Sequence, residues 1–134
     1  MSGPLEGIKV VDFTRVLAGP HFTKMLCDMG AEVIKIEHHI MGDLARVGMP
    51  ITGSFSHYFA QQNVGKKCIS LDLNKKEGRN IVKNLCKDVD IIAENFRPGT
   101  LAAFDLDYEH IKLFNKKIVY VSISGYGQTG PLRG

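Results

Sequence analysis

Residues 8–37 read IKVVDFTRVLAGPHFTKMLCDMGAEVIKIE, and the order of patterns inside them decides the fold. Residues 8–13 form a short β-branched apolar run, the mark of a strand buried on both faces. A loop over residues 14–19 leads to Pro20, which suits the first helical position because its missing N–H is not needed there. Over residues 20–29, Phe22, Met25, Leu26 and Met29 recur at helical spacing, and Gly30 follows as a residue able to close a helix. A second apolar run at residues 31–37 completes a strand–helix–strand unit. Strands joined by a crossover helix lie parallel in one sheet.

The alternation continues outward from this unit. Residues 38–54 read as irregular, and 55–62 as a short helix. Residues 68–73 alternate like a strand, and Asn74 is placed to cap a helix over 75–87 with Ile81, Val82 and Leu85 facing inward. Strands at 90–94 and 118–123 flank a helix at 108–114. The predicted class is α/β: a Rossmann-like parallel sheet with helices on both faces. The chain ends in mid-loop after an apolar strand, so residues 1–134 are expected to be one part of a larger domain.

Composition narrows the function. With 44% hydrophobic and 23% charged residues, the chain is globular, and no apolar run reaches the ~18 residues of a spanning helix. No basic-then-apolar leader opens the sequence, so a cytoplasmic or organelle-matrix setting is expected. Three cysteines, Cys27, Cys68 and Cys86, with no C-x-x-C, read as reduced thiols, Cys86 lying on an apolar helical stripe. A net charge of +3 is too mild for nucleic acid and suits a small anionic ligand.

In parallel sheets, ligands sit beyond the carboxyl ends of the strands. Segments 12–20, 37–43, 72–76, 94–99 and 122–130 lie there. Gly125, Gly127 and Gly130 match G-x-G-x-x-G after a strand, but Pro131 follows where a helix is required, so the stretch reads as a Gly-rich turn. Glu37 ends the second strand where a Rossmann ribose ligand would sit, yet the first turn has Gly19 alone rather than three spaced glycines. Lys66, Lys67, Lys75 and Arg97 add positive charge, with Lys66 and Lys67 expected to face solvent. Asp12 and Asp72 read as loop caps. His38 and His39, adjacent on extended chain, should point apart and make a poor metal pair.

Taken together, several stretches resemble the family III CoA-transferases, which include formyl-CoA transferase and the related 2-methylacyl-CoA racemases. They are PLEGIKVVDFTRVLAGP at residues 4–20, GAEVIKIE at 30–37, Gly42-Asp43, NVGKK at 63–67, LDL at 71–73, ENFRPG at 94–99 and SISGYGQTGP at 122–131. They run in order over the whole chain. The resemblance implies a coenzyme A site built from Val16, Leu17 and Ala18, from His38, from Leu71, Asp72, Leu73 and Asn74, from Asn95, Phe96 and Arg97, and from Ser124, Gly125, Tyr126 and Gly127. It implies no metal, and an acyl-CoA and a carboxylic acid as substrates of an interlocked homodimer. The nucleophilic aspartate of such a transferase would lie beyond residue 134, so no catalytic residue is assigned within this chain. Departures from the family pattern are Val64 in place of an arginine, His38 at an often basic position, Asp105-Leu-Asp107 where Gly-Leu-Gly is common, and Ala103 in place of an arginine; they bear on the substrate more than on CoA. The rival readings are an acyl-CoA racemase using a His and Asp pair, and a non-catalytic CoA-binding module.

Overall fold

Side chains on successive residues of a strand point to opposite faces, and in the first strand that alternation sets the layering of the molecule. The structure, a computed structural model, describes residues 3–133. In chain order the elements are β1 (Lys9–Asp12), α1 (Ala18–Asp28), β2 (Glu32–His38), a 3-10 turn (Leu44–Val47), β3 (Ile51–Thr52), β4 (Phe55–Ser56), α2 (His57–Asn63), β5 (Lys67–Leu71), α3 (Lys76–Leu85), β6 (Ile91–Glu94), a second 3-10 turn (Ala102–Phe104), α4 (Tyr108–Ile111) and β7 (Val119–Ser122).

Five strands form one parallel sheet in the order β5-β2-β1-β6-β7. Val10 and Val33 face α1 and share a core with Leu26 and Ala31. Val11, Phe13, Ile36 and Ile92 face the other way, packed with Val82 and Cys86 of the α3 segment and with Leu101, Leu106 and Ile111. Helices therefore cover both faces, as the alternating pattern requires. Burial pushes the Cys86 thiol up to about 12, in keeping with a core cysteine.

The chain winds from β1 out through β2 to β5, then crosses back to β6 and β7 on the far side of β1. The reversal opens a crevice between the carboxyl ends of β1 and β6, the position where doubly wound sheets hold ligands.

Three local readings change. Residues 51–54, expected to be irregular, and 55–56, expected to open a helix, form the β3–β4 hairpin, in which Ile51 pairs with Ser56 and Thr52 with Phe55; two-residue strands are too short to show a period. Ser56 then caps α2, its Oγ accepting the Phe59 N–H at 3.1 Å. Asn74 does not cap α3. Its own N–H donates to Asp72 Oδ1 at 3.0 Å, drawing it into a turn, and α3 starts at Lys76 without a side-chain cap. Pro20 stands third in α1, still within the turn whose N–H groups have no helical partner.

Candidate functional site

The loop from Thr14 to Leu17 leaves β1 at the crevice, and neighbouring strand ends hold its backbone. Thr14 donates its N–H and its hydroxyl to Asp12 Oδ1, at 2.8 and 2.5 Å. Arg15 donates its N–H to Asn95 Oδ1 at 2.7 Å, and Asn95 Nδ2 returns a bond to Arg15 O at 2.8 Å. The Arg15 guanidinium lies 4.9 Å from the centre of the Phe96 ring. The β1 and β6 loops are thus stitched together across the switch point.

Beside this seam opens a cleft of about 210 Å³, lined on the sheet side by Phe13, Ile36, His38, Leu71, Leu73 and Asn74 and capped by Phe96, Leu101 and Phe104. Its walls are mostly apolar. Arg15 and Glu37 supply charge at its edge. Apolar walls with a few placed polar groups are the usual form of a small-molecule site.

Below the crevice, on the α1 face, lie ions that nothing in the hydropathy pattern announced. Asp12 and Lys66 pair at 3.0 Å, and Lys35 and Asp43 at 2.9 Å, all four side chains with 0% exposure. Lys66, expected to face solvent, instead donates to Asp12, Pro20 O, Thr23 Oγ1 and Asn63 Oδ1. Burial draws its pKa down, against the pull of Asp12. Asp12 is no simple loop cap but the centre of this network. Lys67 does stay exposed, paired with Glu32.

Glu37 is committed as well. Arg46 grips both its oxygens at 2.7 Å, and Asp43 N–H donates to Oε2 at 3.0 Å. The guanidinium also covers the Phe59 ring at 3.8 Å. Burial alone would raise the Glu37 carboxyl, but Arg46 and the Asp43 N–H outweigh it, and the net shift is downward. Asp43 shifts the same way: burial is offset by the Ala45 and Val16 N–H groups and by Lys35. Both carboxylates therefore stabilise the fold fully above the ordinary carboxylate range and lose that contribution as pH falls through their lowered folded values. Thermal melts are expected to be flat in pH from neutrality down to that range and to drop below it. A loss beginning well above it would contradict this assignment.

His38 and His39 do not point apart. The strand stops at His38 and the chain turns at once, Ile40 and Met41 N–H donating to His38 Nδ1 at 3.2 Å each. The two rings lie with centroids 4.6 Å apart, and His39 Nε2 stands 3.7 Å from Asp72 Oδ2. Among the described residues no group of His, Cys, Asp and Glu is arranged to hold a metal.

Of the residues singled out in the sequence, His38, Leu71, Leu73, Asn74 and Phe96 meet in the cleft. Val16, Leu17 and Ala18 stand at the entrance to α1, the first two about half exposed. Asp72 turns away to bond Asn74 N–H. Asn95 spends its amide on Arg15 and so positions the loop. Arg97 lines a neighbouring cleft with Tyr108, Tyr120, Ser122 and Gln128. Ser124, Gly125, Tyr126 and Gly127 are not brought to this cleft; Tyr126 is 71% exposed, and Ser124 meets Gln128 Nε2 at 3.4 Å. Phe13, Arg15, Ile36, Thr100, Leu101 and Phe104 were not foreseen as lining residues. Arg15 carried a signal, being a cation directly beyond the first strand.

Set beside known proteins, residues 5–134 match the family model described as CoA-transferase family III. The chain is 47% identical over 130 residues to the succinyl-CoA:glutarate CoA-transferase of Homo sapiens, covering 96% of this chain and 30% of that protein. It is 39% identical over 132 residues to the formyl-CoA:oxalate CoA-transferase of Escherichia coli, covering 98% of this chain and 32% of that one. Among solved structures, a CAIB/BAIF family protein from Brucella suis superposes with a TM-score of 0.91 at 41% identity, over 98% of this chain and 36% of the other. The chain spans about a third of the length of these relatives.

Proposed function

Because the chain belongs to CoA-transferase family III, we propose that the protein moves CoA from an acyl-CoA thioester to a free carboxylic acid, with residues 1–134 as the amino-terminal, CoA-holding part of its large domain. The observation that supports the reading is the apolar cleft at the carboxyl ends of β1, β2 and β5, lined by Arg15, His38, Leu71, Leu73, Asn74 and Phe96, with Arg97 in the cleft beside it. Apolar walls suit the adenine or the pantetheine arm, and Arg15 and Arg97 suit the phosphates. Relatives named for glutarate and oxalate transfer favour a small carboxylic acid as acceptor.

The chemistry proposed is covalent. A carboxylate outside residues 1–134 attacks the thioester carbonyl, the C–S bond breaks, and the CoA thiolate leaves a mixed anhydride. The thiolate then attacks the enzyme's own carbonyl carbon, releasing the donor acid and leaving an aspartyl-CoA thioester. The acceptor carboxylate displaces CoA to form a second anhydride, and the thiolate attacks its acceptor carbonyl, giving the new acyl-CoA and freeing the enzyme carboxylate. Within this chain Asp12 and Asp43 are enclosed by hydrogen bonds and ion pairs, which suits support rather than attack. An interlocked homodimer is part of the same proposal.

The test incubates the full-length protein with short acyl-CoA esters and a panel of small mono- and dicarboxylic acids, reading new acyl-CoA by mass spectrometry. Exchange with at least one acid is expected. Proton exchange α to the thioester without CoA transfer would favour the racemase reading. Titration should show CoA binding more tightly than NAD. Arg97→Ala should weaken CoA by about 1–3 kcal/mol, the scale of a charge-assisted hydrogen bond; an unchanged affinity would place Arg97 outside the site.

A further inference from the structure

Val16 has φ 68, the left-handed region that a β-branched side chain avoids. Such strain persists only where surrounding groups over-determine it, and it collects at ligand clamps. Packing does not explain it, because the Val16 side chain is 41% exposed. The backbone explains it. Val16 N–H donates to Asp43 Oδ1 at 3.0 Å, while Arg15 is held by Asn95 and Thr14 O by Lys35 Nζ at 2.5 Å. Asp43 is itself fixed: Oδ1 also accepts Ala45 N–H at 2.9 Å, Oδ2 faces Lys35, and its own N–H is held by Glu37.

Resting on the CoA reading of the β1–α1 loop, we propose that Asp43 is a positioning residue whose carboxylate latches Val16 in the left-handed conformation and so presents residues 16–18 to CoA. The segment carrying Asp43 comes 27 residues after Val16, from the turn beyond β2, so one side chain sets the geometry of a loop on another strand. The latch has two separable parts: an acceptor for the Val16 N–H, and a charge for Lys35.

That separation supplies the test, on the full-length protein. Asp43→Ala removes both parts; Asp43→Asn keeps the acceptor and removes the charge. Both should lower the melting temperature, because Lys35 loses its partner. Asp43→Ala should weaken CoA roughly tenfold by calorimetric titration, and Asp43→Asn by no more than about twofold. Equal losses in the two variants, or none in either while both remain folded, would overturn the latch. If the alanine variant does not fold, amide exchange decides: the Val16 N–H should be protected in the wild type and in Asp43→Asn, and free exchange in the wild type would overturn it. A wild-type protein that takes up no CoA would sink the functional reading instead, leaving the Val16 amide to report on the latch by itself.

Discussion

Replacing Asp12 with alanine is expected to lower the stability of the protein by about 3–5 kcal/mol, the cost of leaving a buried partner charge alone. Asp12 is fully buried and accepts from Thr14 N–H, Thr14 Oγ1, Thr23 Oγ1 and Lys66 Nζ. Without it, Lys66 keeps three neutral partners, Pro20 O, Thr23 Oγ1 and Asn63 Oδ1, but no opposite charge. Burial already draws the Lys66 pKa down, and removing Asp12 takes away the group that opposes that shift. Asp12→Asn should cost less, because an amide oxygen still accepts from Thr14. Joining Asp12→Asn to Lys66→Met should recover part of the loss, since it removes the unpaired buried charge while the amide oxygen still accepts from Thr14. Urea unfolding of the four proteins measures this. A single-variant cost below about 1 kcal/mol would mean that water reaches the pair, as it does at surface ion pairs.

That network marks where the chain can be read by pattern and where it cannot. The strands around Val10–Val11, Val33–Ile36 and Ile91–Ile92 are legible because each is a β-branched run buried on both faces, and helices between them leave only a parallel sheet. His38, Leu71, Leu73, Asn74 and Phe96, which the family resemblance named, come together in one cleft at the strand ends where parallel sheets open their ligand crevice. Lys35 is different. It sits mid-strand among Val33, Ile34 and Ile36 on a buried element, and periodicity treats it as an interruption. Its partner Asp43 lies across the turn beyond β2, and only the folded chain brings them to 2.9 Å. Lys66 fails for the same reason, since its partner is 54 residues away. His38 and His39 depart from the alternating pattern because alternation holds only while a strand continues, and this one stops at His38. Pairing across long sequence separation carries no local signature.

Gly19→Ala tests whether the buried network and the crevice act as one unit. A Cβ at Gly19 would stand 2.3 Å from Thr14 Cβ and 2.4 Å from Thr14 Cγ2, with Asn95 Cγ at 3.1 Å. None of these is the free end of a flexible side chain. Thr14 is wholly buried and held twice by Asp12, and Asn95 is held by both backbone bonds to Arg15. The first turn of α1 must therefore move away from the end of β1. Overpacking of this kind costs about 2–3 kcal/mol. Moving that turn also displaces Val16, Leu17 and Ala18, so if the proposed CoA site holds, CoA affinity should fall by at least about tenfold, alongside the drop in melting temperature. Thr14→Ser supplies the control. It removes the Cγ2 clash but not the closer one at Cβ, and it keeps the hydroxyl for Asp12. The double variant should regain part of the stability and part of the affinity together, a coupling expected of residues in contact. Recovery of stability without affinity would show that α1 packing and the ligand loop are independent. A Gly19→Ala protein with wild-type stability and wild-type CoA affinity would mean that the helix does not approach the strand end as closely as the structure has it.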